Sequence, residues 1–129
     1  MGDVNGIQVD ITLSPRDEAI AEEILGEAGK GVVSWRELVE KYRGRGVSLY
    51  RLRKILLALL SRNQIVELQC RLFTTPGYLE KTPREVLREQ IASKIRELGL
   101  QKCGKPVGIP YEKITITITR DGRIGVTIR

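Results

Sequence analysis

Two hydrophobic periods alternate along the chain, and each change of period marks an element. Residues 7–13, Ile-Gln-Val-Asp-Ile-Thr-Leu, alternate apolar and polar, the period of a strand with one buried face. From Pro15 the period lengthens to that of a helix. Ala19, Ile20, Ile24, Leu25 and Ala28 fall on one side, and Asp17, Glu18, Glu22, Glu23 and Glu27 make the other acidic. Ser14 is placed to cap this helix, Pro15 suits its first position, and Gly29 and Gly31 end it. The acidic side is expected to face away from any nucleic acid.

Ser34-Trp35-Arg36-Glu37 spells a capping box, in which Ser and Glu satisfy each other's backbone amides. Trp35, Leu38, Val39 and Tyr42 follow at helical spacing, so Trp35 reads as a core anchor. After Arg43-Gly-Arg-Gly-Val, Ser48 caps a third helix whose Leu49, Leu52, Ile55, Leu56, Leu59 and Leu60 form one stripe. Its opposite side carries Tyr50, Lys54, Leu57 and Ser61, flanked by Arg51 and Arg53. Residues 41–62 hold seven basic side chains (Lys41, Arg43, Arg45, Arg51, Arg53, Lys54, Arg62) and no acidic one. Asn63-Gln64 ends the helical pattern.

Ile65, Val66, Leu68, Cys70, Leu72 and Phe73 nearly alternate, as one long strand or as a pair turning near Gln69-Cys70-Arg71, closed by Pro76-Gly77. Thr82-Pro83-Arg84-Glu85 reads as a second capping box, opening a helix with Val86, Leu87, Ile91, Ile95 and Leu98 inward and Gly99 as its stop. Residues 103–110 read as a loop or linker. Beyond them Ile114, Ile116 and Ile118 alternate with threonines, Asp121-Gly122 suits a two-residue hairpin turn, and Ile124, Val126 and Ile128 alternate again. A lone hairpin is marginal, so its apolar face needs a cover. The 7–13 strand has the matching pattern and is a candidate third strand, from this chain or a partner chain.

This order of elements resembles the winged helix-turn-helix family over residues 14–75, and to residue 98 if the last helix is counted. The residues that carry the likeness are Ser34-Trp35-Arg36-Glu37-Leu38, Gly46-Val47-Ser48, Leu52 with Leu59-Leu60, and Asn63-Gln64-Ile65-Val66 leading into the wing. The resemblance implies an α+β fold: a winged helix-turn-helix core with an additional helix and a C-terminal β-hairpin, three-stranded if residues 7–13 join it. It further implies that the third helix enters the major groove of duplex DNA. Tyr50, Arg51, Arg53 and Lys54 would then face bases and phosphates, and Arg43, Arg45 and Arg71 the backbone. Lys41, Ser48 and Arg62 complete the expected nucleic-acid surface. The sequence departs from the family in lacking a Gly-rich wing tip and in placing apolar Leu57 on the binding face. The hairpin at 112–129 matches no standard part of the family.

Charge points to the same class of partner. The chain of 129 residues carries a net charge of +6, but residues 1–30 hold two basic and seven acidic groups, leaving the remainder at +11. Such asymmetry favours a polyanion, since each neutralised phosphate releases counterions. A hydrophobic fraction of 41% supports a core, and no apolar run is long enough to span a membrane. The start, Met-Gly-Asp-Val-Asn-Gly, lacks the basic and apolar regions of a signal peptide, so a cytoplasmic protein is expected. Scarce Asn and Gln and abundant Arg and Glu lean towards a thermophile.

Chemistry is sparse. The chain has no histidine, which removes Ser-His-Asp and Cys-His catalysis and the usual zinc spacings. No metal or cofactor is expected. Asp10, Glu67, Glu112 and Asp121 are the carboxylates a metal-dependent nuclease would need, but their spacing suggests no shared site. Cys70, within an alternating apolar stretch, reads as a buried thiol; a Cys70–Cys103 disulfide fits a hyperthermophile better than an ordinary cytosol. The organisation expected is a nucleic-acid-binding domain at 14–98 with 1–13 and 99–129 as an appendage, pairing two chains through 7–13 and 112–129. The leading expectation is a duplex DNA-binding transcription regulator that is not an enzyme. The alternatives are a single-stranded DNA or RNA binder, with Tyr50, Tyr78 or Tyr111 stacking on bases, or a protein–protein adaptor using Leu57 and the C-terminal sheet.

Overall fold

The computed structural model describes residues 11–99 and 103–129. The strand expected at 7–13 therefore lies outside the described residues up to Asp10, and residues 11–13 carry no strand pairing. Helix α1 (Pro15–Ala28) starts as its sequence dictates: the Ser14 hydroxyl accepts from the Asp17 amide at 3.2 Å and Pro15 takes the first turn. Its inner side is Ile20, Ala21, Ile24 and Ala28; Ala21 takes the place expected of Ala19, which is exposed.

A two-residue strand, β1 (Val33–Ser34), leads into α2 (Trp35–Arg43). Ser34 and Glu37 form the capping box, with the Glu37 amide donating to Ser34 Oγ at 3.0 Å and the Ser34 amide to Glu37 Oε1 at 3.2 Å. The backbone then reverses: the Val47 amide donates to Tyr42 O at 2.9 Å and the Gly46 amide to Arg43 O at 3.0 Å. That paired closure needs a left-handed residue, and Gly46 supplies it at φ 80°. Helix α3 (Leu49–Ser61) follows, capped by Ser48 and ended by the same closure at Asn63, φ 57°. It buries Leu52, Ile55, Leu56, Ala58 and Leu59, while Leu49, expected inside, is 51% exposed.

Residues 65–75 form a strand pair. Strands β2 (Val66–Leu68) and β3 (Leu72–Thr74) run antiparallel around a tight turn at residues 69–71, in which Cys70 and Arg71 are left-handed, with Leu68 opposite Leu72. β3 also pairs with β1, giving a three-stranded antiparallel sheet in the order β1-β3-β2. Thr74, fully buried, binds this sheet to the end of α1 by donating towards Ala28 O at 3.0 Å and Gly31 O at 3.1 Å.

Pro76-Gly77 does not merely close the strand. Thr75 caps a short helix, α4 (Pro76–Lys81), and Pro at its first position suits a start as well as a stop. Helix α5 (Arg84–Leu98) then begins after Pro83 without a side-chain cap, so the second capping box expected at Thr82 is not formed; Thr82 instead ends α4. Leu87, Ile91, Ala92 and Ile95 face inward, Val86 is exposed, and Gly99 ends the helix at φ 63°.

The C-terminal hairpin pairs β4 (Ile114–Ile118) with β5 (Ile124–Ile128), Ile116 opposite Val126. Its turn is one residue longer than the expected two-residue form. Thr119 accepts from the Gly122 amide at 3.0 Å and donates its own amide to Arg123 O at 2.9 Å, with Gly122 left-handed at φ 84°. Two apolar clusters result. One joins α1, α2 and α3 with Phe73; the other lies among the β2–β3 hairpin, α5 and the C-terminal hairpin, where Leu68, Leu72, Ile91 and Ile114 are fully buried. The fold is α+β, and among the described residues no helix is long and apolar enough to cross a membrane.

Candidate nucleic-acid interface

Helix α3 presents the side chains expected to bind, but the acidic face of α1 reaches several of them first. Arg45 grips Glu23 with both guanidinium nitrogens, at 2.5 and 3.1 Å, and Lys41 pairs with Glu27. The two acids and the two bases are each four residues apart and pair in opposite order, as two helices crossing in opposite senses require. Arg51 meets Asp17 at 2.7 Å and Arg62 meets Glu18 at 2.8 Å. So the carboxylates of α1 turn towards the basic helices, and much of the positive charge of residues 41–62 is balanced within the chain.

Tyr42 lies at the centre of this network. Its ring is fully buried, its hydroxyl donates to Glu23 Oε1 at 3.3 Å, and Lys41 Nζ and the Arg45 guanidinium sit 5.3 and 5.2 Å from the ring centre. Burial, with Glu23 and Glu27 nearby, pushes its hydroxyl up to about 12. The hydrogen bonds from Arg45 hold Glu23 below the usual carboxylate range, and the same contact raises Arg45.

What remains open is narrower than the sequence suggested. Tyr50 is 79% exposed, Arg53 and Lys54 are exposed beside it, and among the described residues no carboxylate pairs with either cation. Arg43, at the end of α2, is exposed and equally without an acidic partner among the described residues. Ser48 is spent as the cap of α3, accepting from the Arg51 amide at 3.2 Å. Arg71 is turned aside at the tip of the β2–β3 hairpin, donating from Nε to Lys105 O at 2.5 Å. Of the tyrosines proposed to stack, Tyr78 is buried with its hydroxyl on Gln90, and Tyr111 is half-buried. Tyr50 alone of the three is well exposed.

Residues 103–110, expected as a loop or linker, are a strap fastened at several points. Cys103 is disulfide-bonded to Cys70, so Cys70 is not the free buried thiol expected. Glu67, 1% exposed, accepts from the Val107 amide at 2.8 Å and the Gly108 amide at 2.6 Å. Its backbone also pairs with Pro110 and accepts from the Tyr111 amide. Glu67 therefore has a structural task, far from the exposed Glu112 and Asp121 in character, and Asp10 lies outside the described residues. Among the described residues no three of His, Cys, Asp and Glu gather as metal ligands would. Where the strap passes α3, a Cβ at Gly108 would lie 2.7 Å from Leu60 Cδ1 and 3.8 Å from Leu57 Cδ2. The strap thus half-covers Leu57, the apolar residue on the face expected to bind.

The strap also borders a groove of about 490 Å³ between α2 and the hairpin tip, lined by Trp35, Arg36, Arg43, Leu49, Arg71 and Cys103 among others. Trp35 and Arg36 were not singled out as surface groups from sequence, because Trp35 fits the apolar stripe of α2. No family model, no curated protein and no solved structure matches the chain.

Proposed function

We propose that the protein binds duplex DNA as a winged helix-turn-helix, with α3 as the groove-entering helix, and acts as a transcription regulator. The observation that carries this reading is the exposed strip Tyr50-Arg53-Lys54 on α3, cationic and aromatic, with no carboxylate pairing its cations among the described residues. The three-helix arrangement and the sheet order β1-β3-β2 support the family assignment, since a hairpin following the third helix and closing on a strand before the second is what a wing requires. Arg43 is the backbone-contacting cation of the set. Lys41, Arg45, Arg51 and Arg62 act at one remove, setting the local potential while bound to α1. No catalytic step belongs to this reading.

The dimer is part of the same proposal. β4 and β5 form a sheet of two strands among the described residues; the Ile116 amide on the outer edge of β4 donates to Gln69 Oε1 at 2.9 Å, so the edge proposed to pair with a second copy is that of β5. Light scattering of the full chain over a range of concentrations tests it. Removing 112–129 would not, because Ile114 and Val126 belong to the second apolar cluster.

The deciding experiment titrates the protein into labelled duplex and single-stranded DNA at two salt concentrations. Duplex binding with a steep salt dependence supports the reading; a preference for single strands overturns it. A protein-docking role is the second reading, favoured by the exposure of Leu49, Tyr50 and Ile109, the last at 86%. It gains ground if neither form of DNA binds.

A further inference from the structure

The groove between α2 and the hairpin tip has the Cys70–Cys103 disulfide in its wall, beside the guanidinium groups of Arg36, Arg43 and Arg71. We propose that a small anionic thiol enters this groove and opens the disulfide by thiol–disulfide exchange, making Cys70–Cys103 a reducible latch.

Three observations converge on this. The first is access: both cysteines line the groove, but Cys103 is only half-buried whereas Cys70 is 6% exposed. The incoming thiolate therefore attacks Cys103 Sγ. The second is charge. Among the described residues the lining carries three guanidinium groups and one carboxylate, Glu40, which lies 3.7 Å from Arg36, and Arg43 has no acidic partner. A thiol bearing a carboxylate or sulfonate is drawn in, and a cationic one is repelled. The third is the backbone at the latch. Cys70 and Arg71 are both left-handed, at φ 63° and 57°, a conformation that side-chain-bearing residues rarely adopt in succession. The disulfide and the bond from Arg71 to Lys105 O both end on this turn. Opening the bridge lets that turn relax.

The exchange balances. The thiolate forms a mixed disulfide with Cys103 and expels Cys70 as a thiolate, next to the Arg71 guanidinium in sequence. A second thiolate attacks the small-molecule sulfur of the mixed disulfide and releases Cys103. Two thiols are oxidised to one disulfide, and the protein gains two electrons and two protons. Glu67 still holds the Val107 and Gly108 amides, so the strap stays seated and the change is confined to the hairpin tip.

The test uses the oxidised, folded chain. Mercaptoethanesulfonate and cysteamine are compared at matched thiolate concentration, the reaction is stopped with iodoacetamide, and intact mass counts the alkylated cysteines. The anionic thiol is expected to open the disulfide faster by on the order of tenfold at low salt, the preference shrinking as salt is raised. Arg43→Glu should erode the same preference. A disulfide that opens only after denaturation, or opens at equal rates with both thiols, overturns the proposal. So does a preference unmoved by both salt and Arg43→Glu.

Discussion

Asp17 Oδ1 and Arg51 Nη2 meet at 2.7 Å, which ties the first turn of α3 to the first turn of α1. Asp17 is buried, so solvent screens this ion pair less than it would an exposed one. The pair also sets how much positive charge α3 shows to a ligand. Asp17→Asn should cost about 1–2 kcal/mol of stability, read from urea midpoints. At the same time it frees Arg51. If α3 meets phosphate, duplex affinity rises and the slope of log affinity against log salt steepens by up to about one.

The same reasoning separates two groups of cations. Arg53 and Lys54 are open, whereas Lys41 and Arg45 are paired with Glu27 and Glu23. Arg53→Ala should weaken duplex binding by about 1–3 kcal/mol and relax sequence preference. Lys41→Ala should weaken it less, because a cation already balanced by a carboxylate releases fewer counterions. Equal losses for the two, measured by fluorescence anisotropy, would mean that the ion pairs with α1 break on binding.

Much of the fold was legible because local chemistry and tertiary structure agree. Ser14, Ser34 and Ser48 cap the helices expected of them, and Asn63 and Gly99 end α3 and α5. The failures came where two local signals competed. Pro76 serves equally as a stop or as the first residue of a helix, and Thr75 ahead of it decided for the helix. At Thr82 a capping sequence was present, but the residue was already committed to the end of α4. The site was legible by residue type and illegible by pairing. Glu23 and Glu27 match Lys41 and Arg45 in spacing, yet only the crossing of the helices brings them together. The strap at 103–110 carries no periodic signal at all, and the carboxylate that holds its middle, Glu67, is forty residues away from Val107.

Glu67 should be among the most sensitive positions in the chain. Its two oxygens accept from two backbone amides, at 2.8 and 2.6 Å, in a place water does not reach. Glu67→Gln keeps the shape but turns a donor towards one of those amides, and should cost about 1–3 kcal/mol. Glu67→Ala should cost more by leaving both amides unmet, and hydrogen exchange at Val107 and Gly108 should accelerate ahead of exchange in α1. Were Glu67→Gln to leave stability unchanged, the strap would owe its position to the disulfide and Val107 instead.

The network around buried Tyr42 gives the stability of the chain a definite dependence on pH at both ends. Tyr42 holds its proton in the folded state up to about 12, above its ordinary value of 10.0, because burial and the nearby carboxylates oppose the phenolate. Its contribution is therefore whole below pH 10 and is lost as pH rises from there towards about 12, where the unfolded chain gains by ionising first. Glu23 behaves in the opposite sense. Held below its ordinary 4.5 by Arg45, it contributes above that value and loses the contribution as pH falls through its lowered one. Urea midpoints measured across both windows should fall at each end. Tyr42→Phe should flatten the alkaline limb and slightly reduce the acid one, since its hydroxyl is among the groups that lower Glu23, and Glu23→Gln should reduce the acid limb while also softening the alkaline one, since Glu23 is among the groups that raise Tyr42. An alkaline limb unchanged in Tyr42→Phe would place that titration elsewhere in the chain.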